Sequence, residues 1–346
     1  MNSLEETINW LLERDNPSVR FLTLRDILDR KEGDAELEEA RRDIANSRIV
    51  KKLFSEQRQE GHWGDTASPY HPKYKSTYWQ IMVLGHLGID NTDERVRKAC
   101  ECVFGFQHEE GGFSSSTMET ARREYAWHRK RGKALPAYDT WALENVREQQ
   151  LSCLTGNVCA ALIRLGYGKD GRLRRALQWM VEVQNRDGGW LCPYWKVHAR
   201  DKHGCFYGTI CPLEAVSELP RYELTGEMEA TAARGAEFML MHRLFKADHH
   251  DLKVINKTWL KLGFPWFSRY NILRGLDVLT KLGYTCEGRL ADALDVLRGK
   301  KLDDGRWPLE ASPMGRMRVN LGKVGAPSKW ITYISLRVLK RLDMIL

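Results

Sequence analysis

Two kinds of helical pattern alternate along the chain. In the first, apolar residues recur at three-and-four spacing on one face, as in DGRLRRALQWMVEVQ, where Leu173, Leu177, Met180 and Val181 share a stripe. The second is apolar around most of its circumference. In GNVCAALIRLGYG (156–168), Val158, Ala161, Leu162 and Leu165 take one face while Ala160 and Ile163 take another. A one-sided helix covers a core from outside, whereas a helix apolar all round must be covered on both sides. The second kind ends alike in three places, LGI at 87–89, LGYG at 165–168 and LGY at 282–284, where glycine supplies a C-terminus. It is predicted six times, near residues 16–30, 74–87, 152–165, 205–219, 268–282 and 328–342. No strand-like alternation is long enough to compete.

Between the two kinds stands a repeated loop. QRQEGHW (57–63), QHEEGGF (107–113), QNRDGGW (184–190) and KLDDGRW (301–307) follow one grammar, with a degenerate fifth copy, GFPWF, at 263–267. The glutamine is expected to reach backbone groups at the end of the one-sided helix. The acidic residue and glycine make the reversal, and the aromatic plugs the gap between neighbouring hairpins. A residue set that recurs at every hairpin is structural and cannot mark one active site. Six hairpins of one half-exposed and one buried helix close into a double ring, an all-α (α/α)6 toroid. The expectation is one domain over residues 1–346, with an insertion at about 114–150.

This loop, Gln with Gly four and an aromatic six residues later, resembles the repeat of triterpene cyclases of the squalene-hopene type and of protein prenyltransferase β subunits. The resemblance runs from about Leu53 to Leu342. It implies a central aromatic cavity at the starts of the buried helices, able to hold an isoprenoid or another elongated apolar molecule. Tyr78 and Trp79, Phe206 and Tyr207, Trp266 and Tyr270, and Trp330 stand at such starts, where aromatic faces would stabilise carbocations; ordinary core packing explains them equally well. Two family features are missing. The aspartate-rich proton-donating motif has no counterpart, since Asp303 and Asp304 belong to the repeat; Asp139 in PAYDTW, standing alone, is the candidate catalytic acid. No diphosphate-binding aspartate motif is present either.

Composition narrows the picture. Of 346 residues 42% are hydrophobic and 29% charged, as in an ordered globular protein with room for a large core. The opening MNSLEETINW lacks a basic region followed by an apolar run, and no stretch approaches a membrane span, so a cytoplasmic protein is expected. Its eight cysteines then read as thiols or metal ligands rather than disulfides. The net charge of +8 is spread out, densest at ARREYAWHRKRGK (121–133), where no nucleic-acid motif accompanies it.

The densest chemistry is CPYWKVHARDKHGC (192–205). Cys192, His198, His203 and Cys205 offer two thiolates and two imidazoles, a tetrahedral zinc set in no standard finger spacing. The prenyltransferase resemblance places two zinc ligands where HGC (203–205) stands, although that family's later histidine ligand has no counterpart here. Four ligands would staple the loop, whereas three with an open position would activate a thiolate or water. Without metal, Cys205 at a helix start with His203 beside it is a candidate nucleophile and base. Lys257, Lys261, Arg269, Arg316, Arg318, Lys323 and Lys329 lie in two connections and form a candidate clamp for a diphosphate, unless they are scattered surface charge. The function expected is therefore an isoprenoid-binding enzyme, with zinc as candidate cofactor. The alternative is a non-catalytic toroid that binds or scaffolds a partner.

Overall fold

The computed structural model describes residues 4–191, 202–313 and 315–345, and these are all-α, with isolated bridges in place of strands. The helices are α1 (Leu4–Leu11), α2 (Pro17–Asp26), α3 (Ala35–Asn46), α4 (Arg48–Ser55), α5 (Thr77–Leu87), α6 (Glu94–Phe104), α7 (Met118–Arg129), α8 (Tyr138–Glu148), α9 (Ser152–Leu162), α10 (Gly171–Glu182), α11 (Phe206–Glu218), α12 (Gly226–Met241), α13 (Ile272–Lys281), α14 (Ala291–Arg298) and α15 (Lys329–Arg341). None is long and apolar enough to cross a membrane.

All six helices expected to be buried on both sides are present as α2, α5, α9, α11, α13 and α15. Every residue of α9 is buried, and every residue of α13 but its last. The one-sided helices α6, α10 and α14 bury a single stripe, such as Leu173, Ala176, Leu177 and Met180 of α10. Their starts are capped by aspartate where the sequence supplies it, Asp93 accepting from Arg95 N and Asp170 from Arg172 N.

The chain forms two compact units, one of Met1–Ser55, His86–Ile89 and Ala233–Leu346, the other of Glu56–Gly85 and Asp90–Ala232. In the first, α15 packs on both α13 and α2, so the last hairpin meets the first, a contact that a closed ring of hairpins demands. A half-buried ionic clasp holds it. Arg337 binds Asp277 through Nε (3.0 Å) and Nη2 (2.6 Å), Arg341 adds a bond to Asp277 (2.9 Å), and Tyr333 OH donates to Asp26. Burial alone would raise the Asp26 carboxyl, but Arg25, Arg337 and the Tyr333 hydroxyl more than offset it and hold the group well below the usual carboxylate range. In the second unit the core pair is α9 on α11, where Gly156 is needed because a Cβ would lie 2.3 Å from the carbonyl carbon of Cys211.

The three copies of the repeated loop that begin with glutamine are built the same way. Gln57, Gln107 and Gln184 each donate from Nε2 to their own motif glycine's carbonyl and to a carbonyl near the start of the following one-sided helix: Arg95 O (2.9 Å), Arg172 O (2.8 Å) and Thr231 O (2.9 Å). The glutamine thus ties one hairpin to the next, rather than capping the helix it follows as expected. The motif glycine turns with positive φ in all four copies. A side chain at Gly111 would sit 2.5 Å from Arg175 O. The plugging aromatics Trp63, Phe113, Trp190 and Trp307 are all at most 1% exposed.

Candidate functional site

An aromatic cluster lies in the first unit, on the loop before α13 and at the start of α15. Phe264 stacks on Trp330 (centroids 4.7 Å, planes 18° apart) and meets Trp266 edge-on at 6.0 Å. His86, in the last turn of α5, lies edge-on to Phe264 at 5.1 Å and to Trp266 at 6.0 Å. Tyr270 is committed elsewhere, donating to Leu244 O (2.7 Å) and meeting Trp259 at 5.2 Å.

The loop is fixed from beneath by Arg274, which is 1% exposed. Its Nη1 donates to Phe267 O (2.7 Å) and Arg269 O (2.8 Å), and its guanidinium lies 5.7 Å from the Trp266 ring centre. Phe267 itself sits in the left-handed region (φ 49°), a conformation that only such support maintains in a bulky residue. The loop before α5 is built alike. His71-Pro72-Lys73-Tyr74 and Phe264-Pro265-Trp266-Phe267 each combine a cis proline with a left-handed aromatic, and Gln80 holds Tyr74 O (3.1 Å) as Arg274 holds Phe267 O.

Two polar atoms in this cluster are buried with no hydrogen-bond partner among the described residues: the indole N–H groups of Trp266 and Trp330. The repeat tryptophans Trp190 and Trp307 satisfy theirs on Met180 O and Leu297 O, both at 2.8 Å. Buried donors are nearly always paired; of the ten buried side-chain atoms without a partner among the described residues, these two belong to rings that both meet Phe264.

The remaining sequence candidates are dispersed. Tyr78 and Trp79 are buried in the second unit. Trp79 Nε1 donates to Tyr70 O (2.7 Å), and Tyr78 lies edge-on to Phe106 and Phe113, burial pushing its hydroxyl far above the usual phenol range. Phe206 is buried and Tyr207 half-buried in the first turn of α11. Asp139 is exposed at the start of α8 in the 114–150 segment, and of Asp303 and Asp304 the first is exposed and the second half-buried in the fourth motif. Lys257, Arg269 and Arg316 are exposed. Their two connections adjoin, with Phe264 N bonding Ala311 O (3.2 Å) and Glu310 N bonding Leu262 O (2.7 Å). Lys329 does not belong with them, being paired with Glu13 (2.7 Å) and Asp15.

Of the four candidate zinc ligands, Cys192 and His198 lie outside the described residues. Cys205 is buried at the N-cap of α11, its amide bonded to Trp190 O (2.8 Å). His203 Nδ1 lies 3.0 Å from Gly204 O. Asp187 of the third motif accepts from Gly204 N (2.6 Å), anchoring this end of the segment to the repeat loop. The residues that sequence reasoning missed are His86 and Arg274. Both sit in helices whose apolar run concealed them.

No family model matches the chain. Over 236 residues, 58% of its length, it is 25% identical to a terpene cyclase/mutase, atnI, from Arthrinium sp, and the match covers 30% of that relative. Among solved structures it is similar to the type II terpene cyclase MstE from Scytonema in complex with merosterolic acid A (16% identity, 99% of this chain and 100% of that one, TM-score 0.47). It is also similar to MstE in complex with geranylgeranyl dihydroxybenzoate (15% identity, the same coverage, TM-score 0.47) and to a protein from Actinoplanes (16% identity, 97% and 89%, TM-score 0.46). The likeness to terpene cyclases read from the repeated loop thus meets a curated relative of that description.

Proposed function

We propose that the protein is a terpene cyclase-like binder of an isoprenoid, or of another elongated apolar molecule carrying an oxygen. The observation that carries this reading is the pair of unpartnered buried indole N–H groups of Trp266 and Trp330 flanking Phe264. Stacked aromatic faces suit a polyene and any positive charge on it, and the two donors suit a hydroxyl, carbonyl or carboxylate oxygen. The sequence likeness to a terpene cyclase/mutase supports the same class of ligand. Lys257, Arg269 and Arg316, on two adjoining connections, are proposed to favour an anionic head group.

The test is a titration followed by tryptophan fluorescence, with geranylgeraniol and geranylgeranyl diphosphate as probes. Saturable binding of both is expected, weakened about tenfold when Trp266 and Trp330 are replaced by Phe, a factor worth about 1.4 kcal/mol. A stronger hold on the diphosphate should vanish when Lys257, Arg269 and Arg316 become Ala. Absence of saturable binding to either probe would sink the proposal.

Turnover is a second reading, favoured by Cys205 at a helix N-terminus with His203 two residues before it. These would act as thiol and base, or as zinc ligands with Cys192 and His198; bound zinc would supply Lewis acidity or an activated thiolate. Plasma mass spectrometry of the protein and of its Cys205→Ser variant separates the two roles. Stoichiometric zinc lost in the variant supports ligation, and zinc absent from both leaves only the metal-free thiol.

A further inference from the structure

The basic run singled out in the sequence is not absorbed by the proposed binding site. It runs along α7 into the tip of a hairpin, α7 packed on α8, within the 114–150 segment. The hairpin is stiff. Its inner side is an aromatic cluster in which Tyr125 meets Tyr138 and Trp141 at 5.4 Å each, and Tyr125 OH donates to Pro136 O (2.8 Å). Its base is tied down by Thr117 Oγ1 on Ala67 O (2.5 Å) and by Arg123 between Asp65 (3.1 Å) and Glu119 (2.6 Å).

The tip differs in every respect. From Tyr125 to Tyr138 there are four Lys or Arg residues and no Asp or Glu. Arg129, Lys130, Arg131 and Lys133 are all exposed, and none makes an ion pair among the described residues, whereas Arg123, Arg172 and Arg289 are each paired. Among them Trp127 is 50% exposed, with the Arg131 guanidinium 3.6 Å over its ring. An exposed tip with four cations unpaired among the described residues around one exposed indole matches the charge and polarity of an anionic bilayer surface. The cations meet lipid head groups and the indole enters the interfacial region. Nucleic acid fits less well, because binding single strands calls for successive stacking platforms and the tip offers one aromatic face, already half covered.

We propose that the 126–134 tip is a peripheral docking site for membranes bearing anionic lipid. The proposal stands apart from the isoprenoid reading, since it concerns a different surface and a different ligand. It would bring the protein to the phase in which apolar molecules dissolve.

The experiment is co-sedimentation of the whole protein with phosphatidylcholine vesicles, with and without phosphatidylserine. The wild-type protein should bind only the anionic vesicles, and binding should fall steeply as salt is raised. The R129E/K130E/R131E/K133E variant should bind at least about tenfold more weakly, and Trp127→Ala several-fold more weakly with its salt dependence unchanged. Because every altered side chain is exposed, an unchanged circular dichroism spectrum and melting temperature should accompany the loss. Equal binding to neutral vesicles, undiminished binding by the charge-reversed variant, or tighter binding to an RNA or DNA oligomer than to anionic vesicles would each overturn the proposal. Wild-type affinity for geranylgeraniol in the charge-reversed variant would separate this outcome from any failure of the isoprenoid site.

Discussion

At the scale of the residue, the repeat depends on a partner that its own motif does not contain. The plugging aromatic turns its backbone N–H onto a buried threonine in the next inner helix: Trp63 on Thr77 (3.1 Å), Phe113 on Thr155 (2.9 Å), Trp190 on Thr209 (3.1 Å) and Trp307 on Thr332 (2.9 Å). Thr209→Val keeps the shape but orphans the Trp190 amide, and should cost about 1–3 kcal/mol in urea unfolding, with Thr209→Ser recovering most of it. The motif glycine is required for a separate reason. Gly111→Ala must place a methyl 2.5 Å from Arg175 O at φ 109°, whereas Gly132→Ala at φ 73° meets nothing within 4 Å. The second change should cost about 1–2 kcal/mol, the ordinary penalty of a left-handed alanine. The first should cost clearly more, in the same unfolding assay. The threonines were present in the sequence at the start of these four inner helices, yet a threonine within an apolar run reads as filler until its bond is seen.

At the scale of the element, helix type was legible and loop conformation was not. Periodicity reports how much of a helix is covered, so the inner helices α5, α9, α11, α13 and α15 fall within the ranges their apolar runs indicated. Periodicity says nothing of how 264–270 is held. The element depends on Arg274, a charge inside a helix buried along nearly its whole length, whose two carbonyl partners belong to the loop before it. Arg274→Met should therefore destabilise the protein by about 2 kcal/mol or more, since both carbonyls lose a charged donor. It should also weaken geranylgeraniol binding, which a purely structural loss elsewhere, as in Thr209→Val, should leave alone. Of the candidate site, Trp266 and Trp330 were legible as aromatics at inner-helix starts. Their unpartnered N–H groups and the neighbouring His86 were not, because both follow from packing between segments far apart in sequence.

At the scale of the whole molecule, the two ends of the chain meet through charge. Asp26 near the first hairpin and Asp277 in α13 converge on Arg337 and Arg341 of α15, with Tyr333 between. Because the Asp26 carboxyl is held below its unfolded value, it contributes stability above about pH 4, and that contribution is lost as the pH falls further. Asp26→Asn should lower stability at neutral pH and flatten its decline on acidification, read as melting temperature against pH. An unaltered acid profile would place the acid sensitivity elsewhere. The repeat read from the sequence extends to this scale as well, since α2 and α15 adjoin as first and last inner helices of one series.

The central claim is that an oxygen-bearing isoprenoid lies against Phe264, Trp266 and Trp330, and the most direct measurement is where such a molecule attaches. A geranylgeranyl probe carrying a photoactivated diazirine would be irradiated with the protein and the labelled peptides mapped by mass spectrometry. Labelling concentrated in the 264–270 and 328–333 peptides, and displaced by unlabelled geranylgeraniol, is the predicted result. Labelling spread over exposed surface, or unchanged by the competitor, would contradict the account.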